Sequence, residues 1–172
     1  MSGKRANIEI IASSLEDAVE EGLEKLGLAQ TLYQFCKEFS EKTNVRIDFQ
    51  AAGIENLSLN YDIKINLYRL AQEGLNNVRK HAAAKKVAVK LVASFPDIIL
   101  RIEDDGKGFD LSQRLAETSG EKRLGLRSMQ ERVRLIQGRM NIDSIVGKGT
   151  KVTIKIPYTN ENIGSREKHI DQ

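Results

Sequence analysis

Residues 86–103 read Lys-Val-Ala-Val-Lys-Leu-Val-Ala-Ser-Phe-Pro-Asp-Ile-Ile-Leu-Arg-Ile-Glu. Apolar and polar side chains alternate on both sides of Ser94-Phe95-Pro96-Asp97. A period of two is that of a strand with one buried face, and the tetrapeptide is turn chemistry. Two strands, Lys86–Phe95 and Asp97–Glu103, are therefore expected to form a hairpin, and hairpin strands run antiparallel. Upstream the period changes. Ile63, Leu67, Leu70, Ala71, Gly74, Leu75 and Val78 form the buried stripe of a helix expected from Tyr61 to Ala83. Before it comes a strand, Val45–Phe49, and a helix from Leu28 to Lys42 with Leu32, Phe35, Cys36 and Phe39 on one face. Ile8, Ile11, Leu15, Ala18 and Gly22 keep a 3-4-3-4 spacing, a short heptad stripe that Gly27 ends. Ser13 and Glu16 match a capping box, which would let that helix restart.

Downstream, residues 106–124 lose periodicity and read as one long loop, the kind that tends to carry function. A helix follows, with Leu126, Met129, Val133 and Ile136 on one face and Gly138 at its end. A second hairpin pairs Met140–Ile145 with Thr150–Ile156 across Val146-Gly147-Lys148-Gly149, and Pro157 stops it. Thr159–Gln172 is a polar tail expected to be disordered. Helices interspersed with hairpins predict an α/β (α+β) two-layer sandwich: one mixed, mostly antiparallel sheet with helices on one face. The chain divides into 1–26, a helical lead-in, 27–157, a folded domain, and 158–172, the tail.

Composition bounds the rest. The 172 residues suit about one domain. Lys plus Arg is 27 and Asp plus Glu is 24, a net +3, which is no nucleic-acid footprint. Two histidines and one cysteine, Cys36, cannot build a Cys/His zinc site or an internal disulfide. No apolar run approaches 18 residues, and the N-terminus lacks a signal-peptide core. A chain that is cytoplasmic, or a soluble piece of something larger such as a membrane sensor, and that makes no membrane contact itself is expected.

Four segments carry candidate chemistry. Glu73 and Asn77 share a helix face at the border of the apolar stripe, roughly 70–110° from its centre. Lys80 and His81 follow one turn later. A carboxylate, a carboxamide and a cation along one edge could hold a metal-bound polyphosphate. Glu103-Asp104-Asp105-Gly106-Lys107-Gly108 ends a strand, where carboxylates could accept from an exocyclic amine and glycines let backbone approach a ligand. An EF-hand is excluded because Leu115 stands where the closing Glu belongs, and a Rossmann fingerprint because Leu111 replaces its third Gly. Leu124-Gly125-Leu126-Arg127 reads as a helix N-terminus whose amides suit phosphate, but it lacks the Lys-Ser/Thr of a P-loop. Gly147-Lys148-Gly149-Thr150 is hairpin punctuation on its own terms.

Together and in this order, the four segments resemble the nucleotide-binding boxes of the GHKL superfamily (gyrase, Hsp90, histidine kinase, MutL). Arg69–Ala82 resembles the N box, Asp104–Phe109 the Asp-x-Gly-x-Gly box, Gly125–Val133 the third box and Gly147–Thr150 the last. Gly-Leu-x-x-Met-x-Glu-Arg-Val narrows the similarity to bacterial sensor kinases of the nitrate-sensor and degradation-enzyme-regulator type. The third box opens Arg123-Leu124-Gly125-Leu126, without the family's first glycine. The resemblance implies a Bergerat ATP-binding fold, with ATP and Mg²⁺ bound and the γ-phosphoryl passed to a histidine. It implies that Asp104 accepts the adenine amino group, that Asn77 ligates Mg²⁺ and that Glu73 is the general base. Lys80 and His81 would neutralise phosphate, Gly106 and Gly108 admit adenine, Gly125 and Leu126 close a lid, and Gly149 and Thr150 complete the base pocket.

It also implies an acceptor histidine on a dimerisation helix, and no histidine precedes Asn77. Segment 1–26 would be the remnant of that dimerisation region. The expected partners are a histidine-bearing dimerisation domain and a downstream response regulator, with homodimers formed by the full-length protein and no nucleic acid bound. Alone, the chain is expected to be inactive in autophosphorylation. Two readings stay open beside this one: a non-catalytic nucleotide-responsive interaction module, and a serine-directed anti-sigma-type kinase of the same fold.

Overall fold

A computed structural model of the chain describes residues 2–117 and 120–157, with the side chains of 14–117, 120 and 124–157. The order is α1 (Ser2–Lys25), α2 (Leu28–Thr43), β1 (Arg46–Ala52), α3 (Tyr61–Asn77), a π-helical turn (Val78–Ala82), β2 (Lys86–Ser94), β3 (Asp97–Asp104), α4 (Leu111–Ala116), α5 (Glu121–Leu135), β4 (Arg139–Ile145) and β5 (Gly149–Pro157). The five strands form one sheet in the order β1-β2-β3-β5-β4. Only β1 and β2, which α3 connects, are parallel. The β2–β3 and β4–β5 hairpins and the β3–β5 pair are antiparallel.

Alternation decides which face is covered. Val87, Val89, Leu91, Ile98, Leu100, Ile102, Ile154 and Ile156 point inward and are buried against the helices. Their neighbours Lys86, Lys90, Arg101 and Lys155 are exposed on the other face. The sheet therefore has helices on one side, and the two-layer sandwich is the observed architecture.

The central helix, α3, begins where Asn60 Oδ1 accepts the N–H of Ile63 at 2.9 Å, with Asp62 in the first turn to favour the dipole. Ile63, Leu67, Leu70, Ala71, Gly74 and Leu75 form its buried face. Gly74 has a packing reason: a Cβ there would stand 2.4 Å from Ile102 Cδ1. Its absence lets α3 lie close on β3, which sets Asn77 near the end of that strand. The α-helical ladder stops at Asn77, so the expected single helix to Ala83 is an α-helix followed by a π turn. Ala83 then reverses the chain at φ +49°. Tethering explains this ending, since the Ala82 carbonyl accepts the N–H of Lys107 at 2.7 Å.

Two other expectations change. Helix α1 runs unbroken past Ser13 and Glu16, so the capping-box match starts no new helix. Its C-terminal turns also join the domain, because Leu23 is fully buried in the core while Leu15 is 64% exposed. The segment expected to be one loop, 106–124, contains α4 and the first turn of α5. Asp110 Oδ1 caps α4 by accepting from Gln113 N at 2.9 Å. Gly27, at φ +84°, separates α1 from α2 as expected. Cys36 is buried and its thiol is pushed up to about 12 by desolvation, so it is a core residue. The polar tail lies outside the described residues.

Candidate functional site

A cleft of about 590 Å³, its solvent-open mouth included, lies between α3, the π turn, the ends of β3 and β5, and helices α4 and α5. Asn77, His81, Asp104, Gly108, Leu126 and Thr150 line it, so six of the expected residues converge from four separate segments.

One wall is built on Asp104, the last residue of β3. It is 7% exposed, and Oδ1 accepts the N–H of Gly106 at 2.8 Å. Burial raises its pKa above the ordinary Asp value, while the N–H groups of Gly106 and Thr150 pull the other way. Thr150 is its register partner on β5. Gly149 makes that pairing possible: at φ +89°, a Cβ there would lie 1.9 Å from the Asp104 carbonyl oxygen. Ser144, which the sequence did not single out, fastens the same corner. Its Oγ accepts from Phe109 N at 2.9 Å and meets Thr150 Oγ1 at 2.9 Å.

Asp105 looks equivalent in the sequence and is not. Its Oδ1 accepts the N–H groups of Lys86 and Lys85, both at 2.9 Å, and these bonds hold its carboxyl below the usual range. A lowered Asp pKa contributes stability that is present above the unfolded value and lost as pH falls through the folded one. Asp105→Ala should thus lower Tm by about 2–5 °C at pH 7. The gap to wild type should close on acidification, and ligand affinity should not change. Calorimetric melts between pH 3 and 7 check this.

The second wall is α3 facing α5. Glu73 Oε1 and Asn77 Oδ1 both lie 3.1 Å from where a Gly125 Cβ would be. Two oxygens thus converge on one point beneath α5. Asn77 Nδ2 donates to Met129 Sδ at 3.6 Å, which turns its Oδ1 away from that sulfur. Gly125 itself differs from expectation. Helix α5 begins at Glu121, and Leu124 N already bonds Gly120 O at 3.2 Å. Gly125 is a turn inside the helix, so it offers no free helix-end amides, and its service is the close approach to Glu73 and Asn77. Gly106 is packed on Ala82, where a Cβ would meet the Ala82 carbonyl at 2.3 Å, so it shapes the loop and does not line the cleft. Lys80 is exposed and does not line the cleft either.

Phe109 and Arg114 line the cleft without having been anticipated. The Arg114 guanidinium carbon stands 3.6 Å from the Phe109 ring centroid, and desolvation pulls its pKa below the ordinary value. The signal for α4 was the spacing Asp110-x-x-Gln113, a capping box in plain sight.

A mixed sheet covered on one face by helices is the fold of solved histidine kinase domains. The histidine kinase domain of the Erythrobacter litoralis EL346 blue-light activated kinase superposes with a TM-score of 0.62 at 22% identity, over 78% of this chain and 62% of that one. The catalytic domain of histidine kinase ThkA does so with a TM-score of 0.58 at 14% identity, over 76% and 90%. The chain belongs to the histidine kinase-, DNA gyrase B-, and HSP90-like ATPase family, whose model matches residues 62–160. It is 40% identical over 141 residues to the signal transduction histidine-protein kinase/phosphatase DegS of Bacillus subtilis, covering 80% of this chain and 36% of the relative. It is 34% identical over 146 residues to the sensor histidine kinase LiaS of the same organism, covering 85% and 38%. The chain therefore spans little more than a third of the length of these curated relatives. Among the described residues, no helix is long and apolar enough to cross a membrane.

Proposed function

We propose that this chain is the cytoplasmic, Mg-ATP-binding part of a two-component sensor histidine kinase, donating the γ-phosphoryl group to a histidine on a dimerisation domain. The observation that carries the reading is the single cleft. Asp104 and Thr150 line one wall and Asn77 the other, and Glu73, which does not itself line the cleft, brings its Oε1 to the same point beside Gly125 as Asn77 Oδ1. Asp104 would accept the adenine amino group, with Thr150 beside it and Gly108 leaving room for the base.

The donor set fits magnesium. Among the described residues no group of three or more His, Cys, Asp or Glu side chains could hold a metal. Magnesium is usually held by one or two protein oxygens plus substrate phosphates, and Asn77 Oδ1 with Glu73 nearby supplies that number. The ion, when bound, offsets phosphate charge. The protein's own share is positioning. Asn77 holds the polyphosphate end, and Gly125 and Leu126 keep the lid helix close. Glu73 takes the proton of the incoming imidazole as the N–P bond forms and the bond to ADP breaks.

The heptad stripe of α1 would continue into the histidine-bearing dimerisation helix. Val19 and Leu23 pack inward. Leu15 and Ala18 stay exposed, as a surface kept for another helix would be. A response regulator would then take the phosphoryl group from that histidine. The test supplies a histidine-bearing dimerisation domain in trans with γ-labelled ATP. Acid-labile, alkali-stable label on that domain is expected. ATP binding without any label would favour an ATP-responsive interaction module instead, and label on serine would favour a serine kinase.

A further inference from the structure

We infer that Arg114 binds the phosphates of the nucleotide, an assignment that rests on the nucleotide reading of the cleft. Among the described residues that line the cleft it is the one Lys or Arg, as Asp104 is the one carboxylate. A cleft with one buried acceptor for a base and one permanent cation matches a ligand with a donor on its base and a charged tail. Lys80, the cation expected from the sequence, is exposed outside the cleft.

The posture of Arg114 suits this task. Its guanidinium carbon sits over the Phe109 ring, 3.6 Å from the centroid. Stacking occupies a face of the guanidinium, while its five N–H donors radiate in the plane and stay available for a bidentate phosphate contact. The ring also excludes water from one side, which strengthens the attraction to an anion. Arg114 further lines the adjoining groove between α4, α5 and β4, together with Arg127 and Arg134. Arg127 is paired there with Glu131 at 3.1 Å, which leaves Arg114 and Arg134 to give this groove a positive character. Helix α4 carries Arg114 to this place, and Asp110 fixes where that helix begins.

The experiment titrates wild type, Arg114→Ala and Arg114→Lys with adenosine, AMP, ADP and ATP, followed by NMR, with thermal melts as a fold control. Arg114→Ala should weaken ATP about tenfold or more, ADP less, and leave adenosine unchanged. Arg114→Lys should recover part of the loss, because it keeps the charge and loses the fork. Equal weakening of all four ligands, or no weakening of any, would overturn the assignment while the nucleotide reading stands. Failure of the wild type to bind both ATP and adenosine would overturn that reading and the assignment with it.

Discussion

Asp104→Asn is expected to reduce adenine-nucleotide affinity by about a hundredfold or more, and to make the stability of the fold less dependent on pH. The two halves of this result have one cause. Asp104 is buried at the end of β3, with Oδ1 committed to the Gly106 N–H. An ionised carboxylate offers about four acceptor sites, so capacity remains for a ligand amine. Asparagine with its oxygen kept on Gly106 turns an NH₂ group toward the cleft, where a donor meets the donor of adenine. A purine carrying an oxo group at that position should then lose less than adenine does. The pH dependence follows from burial. Burial raises the folded pKa of Asp104 above its unfolded value. A carboxyl so raised favours the fold below the unfolded pKa, and that contribution is lost as pH rises through the folded one. At pH 7 the wild type therefore carries a cost that the neutral amide removes. Wild type should therefore lose more stability than the variant between acid and neutral pH. Calorimetry with ADP and melts at pH 3 and 7 check both halves. A variant that binds ADP within threefold of wild type would overturn the role of Asp104.

What the sequence revealed depended on whether one period governed a segment. The β2–β3 hairpin and the stripe of α3 were legible because alternation and 3.6-residue spacing each ran uninterrupted through buried positions. Every stripe residue of α3, from Ile63 to Val78, is buried. Lys80 was misplaced because the spacing rule was carried past Asn77. The π turn changes the angular step there, and only His81 of the Lys80–His81 pair lines the cleft. The start of α5 was misread because Gly125 looked like a boundary. Its actual reason lies across the cleft in Glu73 and Asn77, 48 or more residues away in the chain. Arg114 was invisible because its place depends on α4 forming and then folding back on Phe109. No local pattern reports that contact, although the Asp110 cap that starts α4 was readable. The convergence of the boxes came from their resemblance and order, since each was weak alone.

Asn77→Ala and Glu73→Gln are expected to separate binding from transfer. Their oxygens point to the same place, each 3.1 Å from the position of a Gly125 Cβ, yet their chemistry differs. Asn77 is neutral, and its amide nitrogen is engaged by the buried Met129 sulfur. That leaves Oδ1 as a fixed acceptor suited to holding a cation and unsuited to taking a proton. Removing it should erase the magnesium-dependent part of ATP affinity, about tenfold or more, and leave affinity in EDTA unchanged. Glu73 is a carboxylate on the same helix face one turn earlier, so it can accept a proton from an imidazole that approaches under the lid. Glutamine keeps its size and hydrogen-bonding reach but not its basicity. Glu73→Gln should bind Mg-ATP within about twofold of wild type and slow phosphoryl transfer by about 10²–10⁴. Affinities measured with and without magnesium, beside single-turnover transfer to a histidine-bearing domain, give both numbers for each variant. Equal loss of binding in the two variants would mean that both side chains hold the cation. In that case the proton must leave the imidazole by another route: among the described residues that line the cleft the one carboxylate is Asp104, which is on the other wall and already accepts the Gly106 N–H.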